Sequence, residues 1–201
     1  MLDPTQADCL SVCLKIMSDG VSLADLTDHY IPAVARKIGQ DWCDDQITFA
    51  SGTVGVARLQ WLVGSLERKF PQSKIRNDEP GILMVVPAGE QHTLGAIVLS
   101  SQLRRRGFRI ALGLEATGDF QDLHVANANI KVAMISASSG TQIDDLRALV
   151  SATKNALGKD TPVVIGGTIT DTSLDIRELA GADHVTSDVD EALEVCGLAI
   201  G

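Results

Sequence analysis

The sequence predicts an α/β protein in which a bundle of helices precedes a five-stranded, doubly wound parallel sheet. Before position 70, apolar residues recur at helical spacing, whereas after position 80 short apolar runs alternate with helical segments. A polar stretch bracketed by prolines, at 71–80, separates the two patterns. Because strands that alternate with helices build parallel sheets, we expect two domains, a helical bundle cap at 1–72 and an α/β domain at 78–201.

The first part of the chain is expected to form a four-helix bundle. An apolar stripe over 10–17 predicts the first helix, and Ser22 is placed to cap a second, short one. Pro32 suits the first turn of a third helix that ends near Trp42. A fourth helix is predicted over 46–69, and its glycines allow close approach of either a neighbouring helix or a ligand. These glycines are Gly52, Gly55 and Gly64.

The second part is expected to alternate strands with helices. The strands are predicted at 82–87, 109–114, 131–136, 162–165 and 184–186. The helices are predicted at 93–106, 119–127, 142–156, 173–180 and 189–196. Ligands of such sheets bind beyond the carboxyl ends of the strands. The functional site is therefore expected in the loops at 87–93, 113–119, 136–141 and 166–172.

Composition and charge exclude several classes of protein. The net charge is −9 and the only cluster of cations is at 104–106, so this chain alone is not expected to bind nucleic acid. No apolar run approaches the ~20 residues of a membrane span, and no signal peptide is present, so a cytoplasmic location is expected. Cys9 and Cys13 are interpreted as small buried hydrophobes, with a redox or metal-sensing pair as the alternative.

The loop after the first strand carries His92, a residue type that ligates transition metals readily. A ligating histidine usually donates its other ring N–H to a carboxylate or a carbonyl. Glu90 is placed to accept it, with a water molecule or a backbone carbonyl as the alternative. Gly95 removes a side chain where something bulky has to approach. The other strand-end loops contribute small or hydroxyl-bearing residues that leave a slot along the sheet edge. These residues are Gly113, Ser136, Ser138, Gly166, Gly167 and Thr168.

The same loops predict no catalytic residue. No second carboxylate, lysine or cysteine is expected beside His92 to act as acid, base or nucleophile, and Asp171 is interpreted as a turn former. The other histidines, His29, His124 and His184, are interpreted as surface or structural residues, with His29 the candidate if the cap supplies an upper metal ligand. We therefore expect a protein that is not an enzyme and that holds a cofactor.

The stretch from 81 to about 198 resembles the cobalamin-binding domain shared by methionine synthase, the corrinoid methyl carriers and the light-sensing transcription regulators of the CarH/LitR type. The residues that carry the resemblance are Glu90, His92 and Gly95, then Ser136, then Gly166 and Gly167. The resemblance implies a flavodoxin-like (Rossmann-like) fold and a base-off cobalamin whose cobalt is bound by His92. It also implies that the nucleotide tail lies beside Ser136 and the glycine pair. Glu90, where the methyl carriers favour aspartate, is closer to the light sensors.

The helical part resembles the cap of the AerR/PpaA-type antirepressors of photosynthesis genes, over 38–49 and 58–60. In the light sensors this cap carries a tryptophan followed, after nine residues, by Glu-His, and it covers the upper face of the corrin. Trp42 matches the tryptophan, but Gly52-Thr53 occupies the Glu-His positions, so a bis-histidine light switch is not expected to run in the same way. The alternative for Trp42 is a core residue of the bundle.

These observations predict a cobalamin-dependent sensor that holds its cofactor between cap and α/β domain. It would signal light or redox state to a transcription factor or another regulatory protein. There are three alternatives. The chain could be a corrinoid methyl carrier, a haem-binding sensor of the same fold in which His92 binds iron, or a domain that binds only protein. The sequence leaves open the form of cobalamin (adenosyl, methyl or hydroxo), the upper ligand and the oligomeric state.

Overall fold

The computed structural model describes residues 4–71, 79–120 and 129–198. Two compact units make up the chain: Met1–Ser73 with Ile97–Gln102, and Lys74–Ala96 with Leu103–Gly201. The stretch in which the sequence places the domain boundary, 72–78, lies outside the described residues, so the boundary stays a prediction. Within the described ranges no helix combines the length and the apolar character needed to cross a membrane.

Four α-helices form most of the first unit. They are α1 (Pro4–Ser18), α2 (Leu23–Asp25), α3 (Ile31–Cys43) and α4 (Phe49–Lys69). Ser22 caps α2 as predicted, because its hydroxyl oxygen accepts the backbone N–H of Asp25 at 3.0 Å. Helix α2 continues into α3 through a π-helical turn that the sequence did not predict, Leu26–Tyr30. His29 therefore lies in the π-helical turn that joins α2 to α3.

The predicted start of the fourth helix, at 46, is wrong. Thr48 is its N-cap, since the Thr48 hydroxyl oxygen accepts the backbone N–H of Ser51 at 3.1 Å, and α4 begins at the next residue. The glycines near this end bring α4 close to α3. A Cβ atom on Gly55 would lie 3.0 Å from the Cδ1 atom of Ile38, and one on Gly52 would lie 3.7 Å from its Cγ2 atom. At Gly52 and Gly55 the structure therefore supports close approach of a neighbouring helix, the first of the two roles predicted for these glycines.

The second unit is built on five parallel strands in the order β2-β1-β3-β4-β5. The strands are β1 (Gly81–Pro87), β2 (Arg109–Ala116), β3 (Ile130–Ser136), β4 (Val163–Gly166) and β5 (His184–Val185). The helices that follow β1 along the chain are α5 (Leu94–Arg105), α6 (Ile143–Leu157), α7 (Ile176–Ala180) and α8 (Val189–Val195), and residues 97–102 of α5 are grouped with the first unit. This strand order is that of the doubly wound, flavodoxin-like fold, which confirms the predicted fold class.

Burial follows the position of each strand in the sheet. Every residue of β1 is buried, as expected for a strand paired on both sides, whereas β2 at the edge is buried at Gly113 alone. The apolar core of this unit packs β1, β3 and β4 against α6 and α7, around residues such as Leu83, Ile135, Leu146 and Ile165. Strands β1 and β3 are neighbours although β2 lies between them in sequence, so the chain changes direction across the sheet at this point.

Two predicted helices need comment. The helix predicted at 119–127 falls mostly on 121–128, which lies outside the described residues, as does His124. The helix predicted at 173–180 begins later than expected, because the Asp175 carboxylate accepts the backbone N–H of Glu178 at 3.0 Å and caps α7 there. A separate 3₁₀ turn, Thr168–Asp171, follows β4.

Candidate functional site

A cleft of about 410 Å³ opens at the carboxyl ends of β1 and β3. This is the switch point of the sheet, where ligands of doubly wound folds bind. The cleft is lined by the loop after β1, the loop after β3 and the first turn of α6. Its lining residues are Ala88, Gly89, Glu90, Gln91, His92, Ser138, Gly140, Thr141, Gln142 and Asp145.

The carboxylate of Glu90 is the centre of the hydrogen-bond network in this cleft. Glu90 is buried, with only 8% of its surface exposed. Its Oε2 atom accepts the backbone N–H of Ser138 at 3.0 Å, the hydroxyl of Ser138 at 2.6 Å and the hydroxyl of Thr141 at 2.9 Å. Its Oε1 atom accepts the backbone N–H of His92 at 2.8 Å and lies 2.7 Å from the Nδ1 atom of the same residue. Glu90 thus joins the loops that follow β1 and β3.

Burial of Glu90 disfavours the charged form and raises its pKa. The hydrogen bonds from Ser138, His92 and Thr141 outweigh burial and lower the pKa to about 2, below its ordinary value of 4.5. Glu90 is therefore an anion at neutral pH. Because a carboxylate only accepts hydrogen bonds, the Nδ1 atom of His92 has to carry the proton that it donates.

The remaining ring nitrogen of His92, Nε2, is the one available to a ligand. The His92 side chain is 80% exposed, and Nε2 has no hydrogen-bond partner among the described residues. In the neutral ring with Nδ1 protonated, Nε2 carries the lone pair. A carboxylate that fixes the tautomer and the orientation of an imidazole is the usual support of a metal-binding histidine. The hydrogen bond predicted between Glu90 and His92 is thus present.

The donor set around His92 fits a metal that brings its own macrocycle. Within the part of the chain that the structure describes, no group of three or more His, Cys, Asp or Glu residues lies together to hold a metal ion. One imidazole alone suits a metal whose other positions are filled by a tetrapyrrole-type ring. A Cβ atom on Gly95 would meet no heavy atom within 4 Å, so the first turn of α5 leaves open space.

The glycine pair after β4 is required by backbone packing. Gly167 has φ +94°, and a Cβ atom there would lie 2.3 Å from the carbonyl oxygen of Ala137. A Cβ atom on Gly166 would lie 2.8 Å from the carbonyl oxygen of Thr186. The loop after β4 therefore runs against the backbone of the loop after β3, and Ser136 at the end of β3 pairs in register with Gly166.

The predicted site residues of the α/β unit divide into two groups. Glu90, His92 and Ser138 line the cleft together. The other predicted residues of the α/β unit do not line it, and their contact with a cofactor stays a prediction. They are Gly95, Gly113, Ser136, Gly166, Gly167 and Thr168.

Trp42 belongs to the helical unit, and the interpretation of this residue as a core tryptophan is wrong. Its side chain is 49% exposed. It packs edge to face against Phe49, with ring centroids 5.8 Å apart and an interplanar angle of 60°. Phe49 is itself 61% exposed, so the pair presents aromatic surface to its surroundings.

Three residues of the site were missed from the sequence. The hydroxyl of Thr141 donates a hydrogen bond to Glu90. The hydroxyl-rich run that starts at Ser136 and includes Thr141 could have indicated this contact. Asp145 lines the cleft from the first turn of α6, and Glu115 accepts the backbone N–H of Gly89 at 2.9 Å. Helix phase and strand pairing bring both carboxylates to this edge, since Asp145 belongs to α6 and Glu115 to β2. The expectation that no second carboxylate acts as acid, base or nucleophile beside His92 stays a prediction.

Comparison with known proteins gives one family and one fold. Residues 80–196 match the model of the B12 binding domain. An uncharacterized 20.5 kDa protein of Rhodobacter capsulatus, from the bchF-crtJ intergenic region, is 33% identical over 176 residues, which cover 84% of this chain and 88% of that protein.

Among solved structures, the Methanosarcina barkeri monomethylamine corrinoid protein superposes with a TM-score of 0.68 at 18% identity, over 96% of this chain and 91% of that one. A cobalamin-binding protein from Desulfitobacterium hafniense DCB-2 gives a TM-score of 0.48 at 19% identity, over 98% and 93% of the two chains. At 18% identity, the similarity to the Methanosarcina barkeri protein shows a shared fold.

Proposed function

The chain belongs to the B12-binding domain family, and from this premise we propose that it is a cobalamin-dependent sensor that signals to a transcription factor or another regulatory protein. One observation carries the proposal. The exposed imidazole of His92 is oriented by a buried, ionised Glu90 and keeps its second nitrogen free, which is the arrangement a metal ligand needs.

In this proposal the chain holds cobalamin with its own base displaced. Nε2 of His92 would bind the cobalt, and Glu90, Ser138 and Thr141 keep the imidazole in place. When bound, cobalamin would supply a visible chromophore and a cobalt ion that can exchange a ligand. Five further proposed cofactor contacts rest on resemblance to the family, namely Trp42, Gly95, Ser136, Gly166 and Gly167. Three more rest on their position in the strand-end loops, namely Gly113, Ser138 and Thr168.

The charge of the cleft favours cobalamin over haem. Among the described residues no lysine or arginine lines the cleft, and Asp145 adds a carboxylate that forms no hydrogen bond or ion pair with any of them. The periphery of a corrin carries neutral amides, whereas haem carries two anionic propionates. An anionic periphery would meet negative charge here without a compensating cation.

The signalling part of the proposal is supported by composition and by resemblance. The net charge of −9 suits a protein partner better than nucleic acid. The 33% identical relative is named for its place between bchF and crtJ. The resemblance of 38–49 to the cap of the AerR/PpaA-type antirepressors agrees with a regulatory role.

A visible absorption titration tests the proposal. Purified protein receives hydroxo-, methyl- or adenosylcobalamin, or haemin, in the dark and then under light, and is desalted. We expect retention of cobalamin and a spectrum of histidine-ligated cobalt that is lost in His92→Ala. The matched control is His184→Ala, which removes an imidazole from β5 at the far edge of the sheet.

Each outcome decides between functions. Retained cobalamin whose visible spectrum responds to light supports the sensor. Cobalamin that only cycles between methylated and reduced states would assign the chain to the methyl carriers. A spectrum unchanged in His92→Ala would remove His92 as ligand, and retention of haemin alone would overturn the cofactor assignment.

A further inference from the structure

The end of β2 contains an irregularity beside the loop that carries His92. Val85 pairs with Gly113 and Pro87 pairs with Ala116, so β1 advances by two residues while β2 advances by three. One extra residue in one strand of a pair is a β-bulge, which bends the strand and redirects a side chain. Glu115 lies in this bulge with φ +56°, a left-handed conformation that residues with a Cβ atom rarely adopt.

The bulge turns the Glu115 carboxylate toward the His92 loop. Its Oε2 atom accepts the backbone N–H of Gly89 at 2.9 Å, and the next residue, Ala116, accepts the N–H of Ala88 at 3.1 Å through its carbonyl oxygen. Gly89 has φ +78° and no side chain to restrict it. Two consecutive N–H groups of the His92 loop are therefore bound to the end of β2.

The same loop is held on its other side by a second carboxylate. Glu90 points away from β2 and accepts hydrogen bonds from Ser138 and Thr141 in the loop after β3. The segment that carries His92 is thus fixed between the ends of the two strands that flank β1. One carboxylate comes from the loop itself, and the other, Glu115, comes from the neighbouring strand.

We propose that Glu115 is a positioning residue for His92, which it serves by fixing Gly89 and so the placement of the imidazole. The inference rests on the proposed role of His92 as the cobalt ligand. A left-handed, non-glycine residue is retained where the surrounding structure requires it, and here the requirement is the hydrogen bond to Gly89. Loss of a residue that orients a metal ligand typically weakens metal binding about 10- to 100-fold.

Three variants separate this role from a merely structural one. Glu115→Gly removes the carboxylate and also relieves the left-handed backbone, so it is not expected to lower the stability of the fold. Glu115→Gln keeps an oxygen that accepts the N–H of Gly89. Glu194→Gln, on the exposed surface of α8, removes the same charge far along the chain and serves as the control.

The experiment uses the full chain loaded with hydroxocobalamin. We measure the Kd, the pH midpoint at which acid displaces His92 from cobalt in the visible spectrum, and the urea midpoint of unfolding. For Glu115→Gly we expect a Kd raised about 10-fold and a displacement midpoint moved to higher pH, with an unchanged or higher urea midpoint. Glu115→Gln should behave as the wild type.

A wild-type Kd and pH midpoint in Glu115→Gly would overturn the inference while leaving the proposed function intact. A His92→Ala spectrum identical to that of the wild type would instead overturn the proposed function. A measurement without cofactor keeps the inference testable in that case. The ¹⁵N NMR signals of the His92 ring should shift in Glu115→Gly and return in Glu115→Gln, and unchanged signals would count against positioning.

Discussion

Glu90 receives two hydrogen bonds from Ser138, one from the backbone N–H at 3.0 Å and one from the hydroxyl at 2.6 Å, although 48 positions separate the two residues in sequence. This contact joins the loop after β1 to the loop after β3. Because the same carboxylate also orients His92, its ionisation is linked both to folding and to the availability of the imidazole. A substitution of Glu90 therefore tests both the stability of the fold and the orientation of His92.

The low pKa of Glu90 predicts a loss of stability in acid. The folded state lowers this pKa from 4.5 to about 2, so the carboxylate stabilises the fold above about pH 4.5 and loses this contribution as the pH falls toward 2. The full contribution at neutral pH is roughly 3 kcal/mol. The free energies of unfolding in urea of the wild type and of Glu90→Gln should differ most at pH 7 and approach each other as the pH falls from about 4.5 toward 2. Parallel curves would contradict the prediction.

The fold could be predicted from sequence because its signals are local. All five strands lie within one or two residues of their predicted bounds, since each is a short apolar run that ends at turn residues. The start of α4 and the π-helical turn at Leu26–Tyr30 were missed. The start of α4 depends on which residue caps it, here Thr48, and the apolar periodicity predicts neither this cap nor the π-helical turn.

The site could be predicted only where its contacts are short in sequence. Glu90 and His92 are two residues apart, so their hydrogen bond follows from one loop. The contact of Glu115 with Gly89 spans 26 positions and depends on a bulge that no glycine marks. Thr141 reaches Glu90 across 51 positions, through the pairing of β1 with β3. Strand register has to be known before such partners can be named.

The hydroxyl of Thr141 predicts a measurable cost when it is removed. Thr141→Val leaves the shape of the side chain but deletes one donor to a buried carboxylate. A lost hydrogen bond to a charged, buried group typically costs about 1–3 kcal/mol. Urea unfolding at pH 7 should show this loss, and Thr141→Ser, which keeps the hydroxyl, should recover most of it. Equal stability of the Val and Ser variants would contradict the assignment.

Two glycines predict opposite effects of the same substitution. Gly167→Ala places a Cβ atom 2.3 Å from a backbone oxygen at a φ of +94°, so we expect at least about 3 kcal/mol of destabilisation or failure to fold. In Gly95→Ala the added Cβ atom meets no heavy atom within 4 Å, and the residue lies in a helix. The free energy of unfolding should therefore stay the same or rise by up to about 1 kcal/mol.

Cobalamin affinity then distinguishes the role of Gly95 from its effect on folding. If the open space at Gly95 is used by the cofactor, Gly95→Ala should raise the Kd for hydroxocobalamin in a protein of full stability. Fluorescence-monitored urea unfolding and absorption titration on the same samples separate the two effects. An unchanged Kd would remove Gly95 from the proposed contacts.

The charge of Asp145 predicts how the cleft discriminates between cofactors. Asp145→Lys replaces an anion in the cleft lining by a cation that the propionates of haem would attract, whereas the neutral amides of a corrin gain little. Because the position is exposed, the expected gain is modest, about 1 kcal/mol, or roughly a 5-fold lower Kd for haemin. Absorption titrations should therefore show that the Kd for haemin falls relative to the Kd for hydroxocobalamin, so that the preference for cobalamin becomes smaller. Asp160→Lys makes the same charge change beyond the other end of α6 and should leave the ratio of the two Kd values unaltered. An equal shift in both variants would show that net charge, and not the cleft, sets the preference.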